Sequence, residues 1–164
     1  MKFYLFKKNN HSGLSILEVV IAIGIIAIGM IAVVSFITQS IQAYAVNKNR
    51  FIASLLSQEG IELVRNQRDD NWLDGVNWKN EIDDASYVID RDGIQLVANS
   101  RLKIDGSGLY QHTDGTNTLF TRVISTNTDD CPDVDDCLYV TSEVTWSIRG
   151  NDYNYQLETY LYNW

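Results

Sequence analysis

Residues 19–37 form a run of 19 positions without a charge, in which Ser35 is the only strongly polar side chain. About 20 helical residues cross the hydrocarbon core of a bilayer, so a run of this length is a membrane-span candidate. From Thr38 onward the chain is rich in Asp, Asn, Thr and aromatic residues and reads as a soluble protein. The apolar mass is therefore an anchor. At 164 residues the chain suits one ordinary domain plus such an appendage.

Charge divides at the same place. The first 13 residues hold Lys2, Lys7 and Lys8 and no acid, and their loss takes the formal net charge from −8 to −11. Positive charge just before a hydrophobic span favours leaving that end in the cytoplasm, which places the acidic remainder outside. An acidic head argues against nucleic-acid binding, which needs a Lys/Arg patch.

An ordinary secretory signal has a shorter apolar stretch, with a small-residue cleavage site after it. Here the small residue, Gly13, precedes the run, so a cut at Gly13–Leu14 removes the basic leader and keeps the hydrophobic helix. An uncut signal anchor is the competing reading, and Glu18 separates the two. An unpaired carboxylate at the edge of a span costs about 2–3 kcal/mol or more on insertion scales, and a simple anchor has no need of it. A cut after Gly13 frees the α-amine of Leu14. That amine on one subunit and Glu18 on its neighbour would pair in a low-dielectric setting and fix the axial stagger between helices.

The stretch Gly13-Leu-Ser-Ile-Leu-Glu18-Val-Val-Ile-Ala-Ile resembles the processing motif of type IV prepilins and type II secretion pseudopilins. The resemblance implies a prepilin peptidase that cuts after Gly13 and methylates the new N-terminus at Leu14, with Glu18 as the assembly carboxylate. Leu14 stands where Phe is the commoner first residue. The proline at the helix bend of many major pilins has no counterpart here; only Ser35, Gly24 and Gly29 weaken the helix.

The helical pattern continues past the apolar run. Ile41, Tyr44, Ala45, Ile52, Leu55, Leu56, Gly60, Leu63 and Val64 follow the spacing of one face, while Asn47, Lys48, Arg50, Glu59, Glu62 and Arg65 occupy the other. No proline interrupts residues 14–70, so one helix of about 80 Å is expected. Glu59, Glu62 and Arg65 read as solvated or intrahelical pairs. Residues 53–69 resemble the matching helix of PilV-type minor pilins and I-type pseudopilins.

The head begins at a linker, residues 71–80. Short strands are expected at 87–90 and 94–97 around Asp92-Gly93, and another at 120–125; Gly106-Ser-Gly108 and Asp114-Gly115 mark turns. Two period-2 runs, Leu138 to Ile148 and Tyr153 to Leu161, joined by the four residues Arg149 to Asp152, make an antiparallel hairpin. One sheet face should pack on the amphipathic half of the helix. The expected class is α+β and pilin-like: leader 1–13, transmembrane helix 14–37, amphipathic helix 38–70 and β-rich head 71–164.

Cys131 and Cys137 bracket the acidic loop CPDVDDC, and on the outer side of a membrane they are expected to form a disulfide. Asp129, Asp130, Asp133, Asp135 and Asp136 crowd the same loop. Such density can bind Ca²⁺, but the spacing is not that of an EF-hand and its glycine is missing, so a solvated acidic loop competes with a calcium site. No cofactor is otherwise implied. His112 stands alone on an expected loop and reads as solvated. No phosphate loop, zinc-protease or nucleophile-elbow motif occurs, so no enzyme is expected. Most aromatic residues read as sheet packing, with Trp164 capping the last strand.

The reading that joins these features is a minor pilin: a structural subunit held in the cytoplasmic membrane, processed, and assembled through its helix into a pilus-like filament. Expected partners are other pilins or pseudopilins, the peptidase, a membrane platform and an assembly ATPase. A secretion or competence pseudopilin is the nearest alternative. A pilus-tip adhesin and an uncleaved anchored protein belong to other classes.

Overall fold

The computed structural model describes residues 13, 15–83, 85–90, 93–95, 101–132 and 137–163. A single helix, α1, spans Ile16–Leu73. It is shared between two compact units, residues 1–44 and 45–164, which are described separately.

In the first unit the helix buries nothing against its own chain. Large apolar side chains are exposed all round it, Ile16 at 85% and Phe36 at 71% among them. The helix is long and apolar enough to cross a membrane. A surface so apolar on every side is suited to lipid or to other helices rather than to water.

In the second unit α1 continues three residues past its expected end. Gly75, at φ 70°, stops it: the Val76 N–H reaches the Asn71 carbonyl and the Gly75 N–H the Trp72 carbonyl. This is a Schellman cap, for which glycine suits the left-handed position. Asn71 and Trp72 are thus helical rather than linker. The Asn71 amide donates to the Trp78 and Asn80 carbonyls at 3.2 and 2.7 Å and holds the chain that leaves the helix.

Among the described residues seven strands follow: β1 (Ser86–Asp90), β2 (Gly93–Gln95), β3 (Arg101–Ile104), β4 (Tyr110–Gln111), β5 (Thr116–Asn127), β6 (Cys137–Ile148) and β7 (Asn151–Tyr162). Every pairing is antiparallel. The ladder β7-β6-β5 is its backbone. Beyond β5, β3 lies along its first half and β1 along its end, with β4 extending β3 and β2 extending β1. Strands β3 and β4 were not foreseen: Arg101-Leu-Lys-Ile is too short to show a period, and two residues show none. Strand β5 is 12 residues long, well beyond the expected 120–125. Val97 and Trp164 lie outside the described residues.

The last hairpin is tighter than its alternation suggests. Ile148 pairs with Asn151, so the loop is Arg149-Gly150 alone, with φ of 52° and 80°. Two positive φ values in a two-residue loop make a type I′ turn, whose twist matches that of the strands. Asn151 and Asp152, expected in the loop, extend the strand instead.

The inner face of the sheet packs on the second half of α1. The buried helix residues are Ala53, Leu56, Ser57, Gly60, Ile61, Val64, Arg68 and Asn71. The expected face was rotated relative to this one, since Ile41, Tyr44 and Leu55 are exposed. Leu138, Val140, Val144 and Trp146 of β6 point inward as their parity requires. The two layers approach closely at Gly60. A Cβ there would lie 2.5 Å from Ser142 Oγ and 2.9 Å from Ile124 Cδ1. One turn earlier, Ser57 Oγ donates to the Ser142 carbonyl at 2.7 Å. Gly60→Val should therefore overpack this contact and cost about 1–3 kcal/mol, read as a lower unfolding midpoint in detergent. An unchanged midpoint would mean that the layers separate freely here.

Candidate processing and assembly site

The N-terminal site is built from the start of α1. Gly13 is exposed, and the Val19 N–H donates to the Ser15 carbonyl at 3.2 Å, which places Ser15 at the N-cap. Ser15-Ile-Leu-Glu18 has the spacing of a capping box, and Glu18 is the acid of the first turn. A carboxylate there gains roughly 0.3–1 kcal/mol from the helix dipole. That is less than the ~2–3 kcal/mol it costs at a membrane span, so capping alone does not account for an acid at this position. Glu18 is exposed, on a surface shared with Leu17, Ile21 and Ile25. Leu14 and the leader lysines lie outside the described residues, and the Gly13–Leu14 bond is located by sequence alone.

In the head, Cys131 and Cys137 are bonded, with Cα atoms 5.8 Å apart, and tie the β5–β6 connection to the start of β6. Closing so short a loop stabilises a fold by about 2–3 kcal/mol in the chain-entropy picture. Of the calcium candidates, Asp129 and Asp130 are described. Asp130 accepts from Asn127 Nδ2 at 2.9 Å, and its N–H donates to Asn127 Oδ1. Asp133, Asp135 and Asp136 lie outside the described residues. Among the described residues no three Asp, Glu, His or Cys side chains group around a metal-sized space.

The largest departure from the sequence reading is His112. It is buried, not solvated, and it is not alone. Its Nδ1 lies 2.7 Å from Asp90 Oδ1, and its backbone N–H donates to Asp90 Oδ2 at 2.7 Å. Arg122, fully buried on β5, stands 3.9 Å from the same carboxylate and donates to the Ile89 and Leu56 carbonyls at 2.9 and 3.1 Å. It also reaches Glu59 at 3.1 Å, so Glu59 spans from helix to sheet and is not an intrahelical partner. Glu62 and Arg65 do pair within the helix at 2.6 Å.

Burial alone would raise the Asp90 carboxyl. The hydrogen bonds from His112 and the charges of His112 and Arg122 more than offset it, and hold the group below the ordinary carboxylate range. Burial lowers Arg122, opposed by Glu59 and Asp90. The Asp90 and His112 side chains are 2% and 1% exposed, so the pair joins β1 to the segment after β4 from inside, with Arg122 linking it to β5 and α1, and offers no surface to a substrate. The signal for this cluster was faint. Arg122 occupies an inward-facing position of β5, and an inward arginine demands a buried acid.

The prokaryotic N-terminal methylation motif, as a family, matches residues 8–34. The match takes in Gly13, Leu14, Glu18 and most of the apolar run, and none of the head. No curated protein and no solved structure matches the chain.

Proposed function

We propose that this chain, which carries the N-terminal methylation motif of type IV prepilin-like proteins, is a minor pilin assembled through α1 into a pilus-like filament. The motif marks a prepilin peptidase substrate of a structural, pilin-type kind. The feature that carries the finer reading is Glu18 at the head of an otherwise uncharged apolar helix. Its charge is tolerable in a membrane when a partner neutralises it, and the freed Leu14 amine of a neighbouring subunit is such a partner. The leader would stay in the cytoplasm and the acidic, disulfide-bonded head would stand outside, in an oxidising compartment. The likeness of residues 53–69 to PilV-type helices, shared with I-type pseudopilins, favours a minor over a major subunit and leaves a secretion or competence pseudopilin as the alternative. Abundance in purified filaments separates a minor from a major subunit.

The test is the mass of the membrane-extracted protein. It should begin at Leu14 and carry one added methyl group. Gly13→Val should leave the full precursor in the membrane with its head folded. Recovery of an intact Met1 terminus from wild-type cells that process other prepilins would remove the basis of this reading.

A further inference from the structure

Strand β7 is a free edge along most of its length. It pairs with β6 through 12 consecutive residues without a register shift, and among the described residues no other strand pairs with it. The type I′ turn sets the phase. Ile148 and Asn151 form a hydrogen-bonded pair, so every second residue from Asn151 bonds to β6. The N–H and C=O groups of Asp152, Asn154, Gln156, Glu158 and Tyr160 then point away from the sheet, and Arg68 takes the next carbonyl in the series, that of Tyr162, at 3.4 Å.

Natural sheets guard such edges with lysine, proline, bulges or very short strands. Strand β7, NDYNYQLETYLY, has no proline, no lysine and no bulge. The core beside it is also one strand short. Val144 and Ser142 of β6 are fully buried, whereas their partners Tyr155 and Leu157 on β7 are only half-buried on the same inner face. A further strand on this edge would complete their cover.

The geometry points to β7 as the acceptor edge for an extended segment of another protein, apolar on the face turned toward α1 and basic on the other. The basic face follows from Asp152 and Glu158, the only charges on β7, which lie on the outer face. A second copy fits poorly. Two β7 strands side by side would gather four carboxylates on one ribbon. The far side of the sheet ends in β2 and β4, of three and two residues, too short to receive a 12-residue strand. This inference is independent of filament assembly: it concerns the head and holds for processed and unprocessed chains alike.

The test uses the full chain in detergent micelles, with a nine-residue peptide of alternating Val and Lys as the probe. Amide exchange at Asp152, Asn154, Gln156, Glu158 and Tyr160 should slow about tenfold at a peptide concentration near ten times its Kd, while the amides already bonded to β6 stay unchanged. N-methylation of one alternate set of peptide residues should abolish the effect, and of the other set should leave it intact. Asp152→Lys with Glu158→Lys should transfer the preference to a second peptide of alternating Val and Glu. Absence of protection at millimolar peptide, indifference to which set is methylated, or a Gln156→Cys chain that cross-links to itself would each overturn the assignment.

Discussion

Glu18→Val is expected to insert into the membrane and to be cleaved after Gly13 as wild type is, yet to enter filaments about 100-fold less often when the two compete. Insertion is preserved because valine lengthens the apolar run, and cleavage because the leader and Gly13 are untouched. The loss arises on the neighbour. In the proposed pairing its Leu14 amine is left charged and without its carboxylate in a low-dielectric setting, and breaking one side of such a pair costs about 3–5 kcal/mol. Since 1.4 kcal/mol is a factor of ten, a hundredfold is the modest end of that range. Tagged wild-type and variant subunits, counted in sheared filaments and in membranes, give the ratio directly. Equal ratios in both fractions would show that the carboxylate does not set the stagger. Glu18→Asp, which keeps the charge on a shorter stem, should recover part of the incorporation.

The second large effect is in the head. Arg122→Met should destabilise it by about 3–5 kcal/mol, because methionine fills the space of the arginine stem but removes the guanidinium from a buried cluster and leaves Asp90 to His112 alone. The carbonyls of Leu56 and Ile89 lose their donor as well. The Glu59 contact adds little, since that carboxylate is 42% exposed and screened by water. Chemical denaturation in detergent reads the difference. A shift below 1 kcal/mol would mean that Asp90 and His112 satisfy each other without Arg122.

The same cluster gives the head a defined acid sensitivity. The Asp90 carboxyl is lower in the folded chain than in the unfolded one. Its contribution to stability is therefore fully present above the ordinary carboxyl value of about 4, and is lost as pH falls through the lower folded value. Asp90→Asn removes that dependence. The wild-type unfolding midpoint should fall more steeply below pH 4 than that of the variant, and parallel curves would assign the sensitivity to other carboxylates.

What the sequence disclosed and what it withheld follow from one distinction. Features that depend on a period along the chain were legible: the unbroken α1, and the inward parity of Leu138, Val140, Val144 and Trp146. The N-terminal methylation motif was legible because Gly13, Glu18 and the apolar run lie within a few residues of each other. Features made by residues far apart in the chain were not. His112, Asp90, Arg122 and Glu59 come from four separate segments, and nothing in the neighbourhood of His112 announces its partner. The rotation of the buried helix face has the same origin. Ser57, Arg68 and Asn71 are polar, and they belong inside only because Ser142, Tyr162 and Trp78 offer them carbonyls. The end of α1 was misplaced because Asn71-Trp-Leu reads as irregular until Gly75 is recognised as the cap.

The two-residue turn at Arg149-Gly150 also orders the assembly of the head in time. All 12 pairs of the β6–β7 ladder join residues no more than 25 positions apart, the widest being Cys137 with Tyr162. The helix meets the sheet across far longer separations, 85 positions between Ser57 and Ser142. Short loops close before long ones, because the entropy lost on closure is smaller. The hairpin is therefore expected to zip before the helix docks on the sheet. The exposed stripe of Ala53, Leu56, Ile61 and Val64 must wait for it. A chain cut before β7 would lose the cover that Tyr153, Tyr155, Leu157 and Leu161 add to that core, so closure of the hairpin is the step on which full docking of the helix face depends.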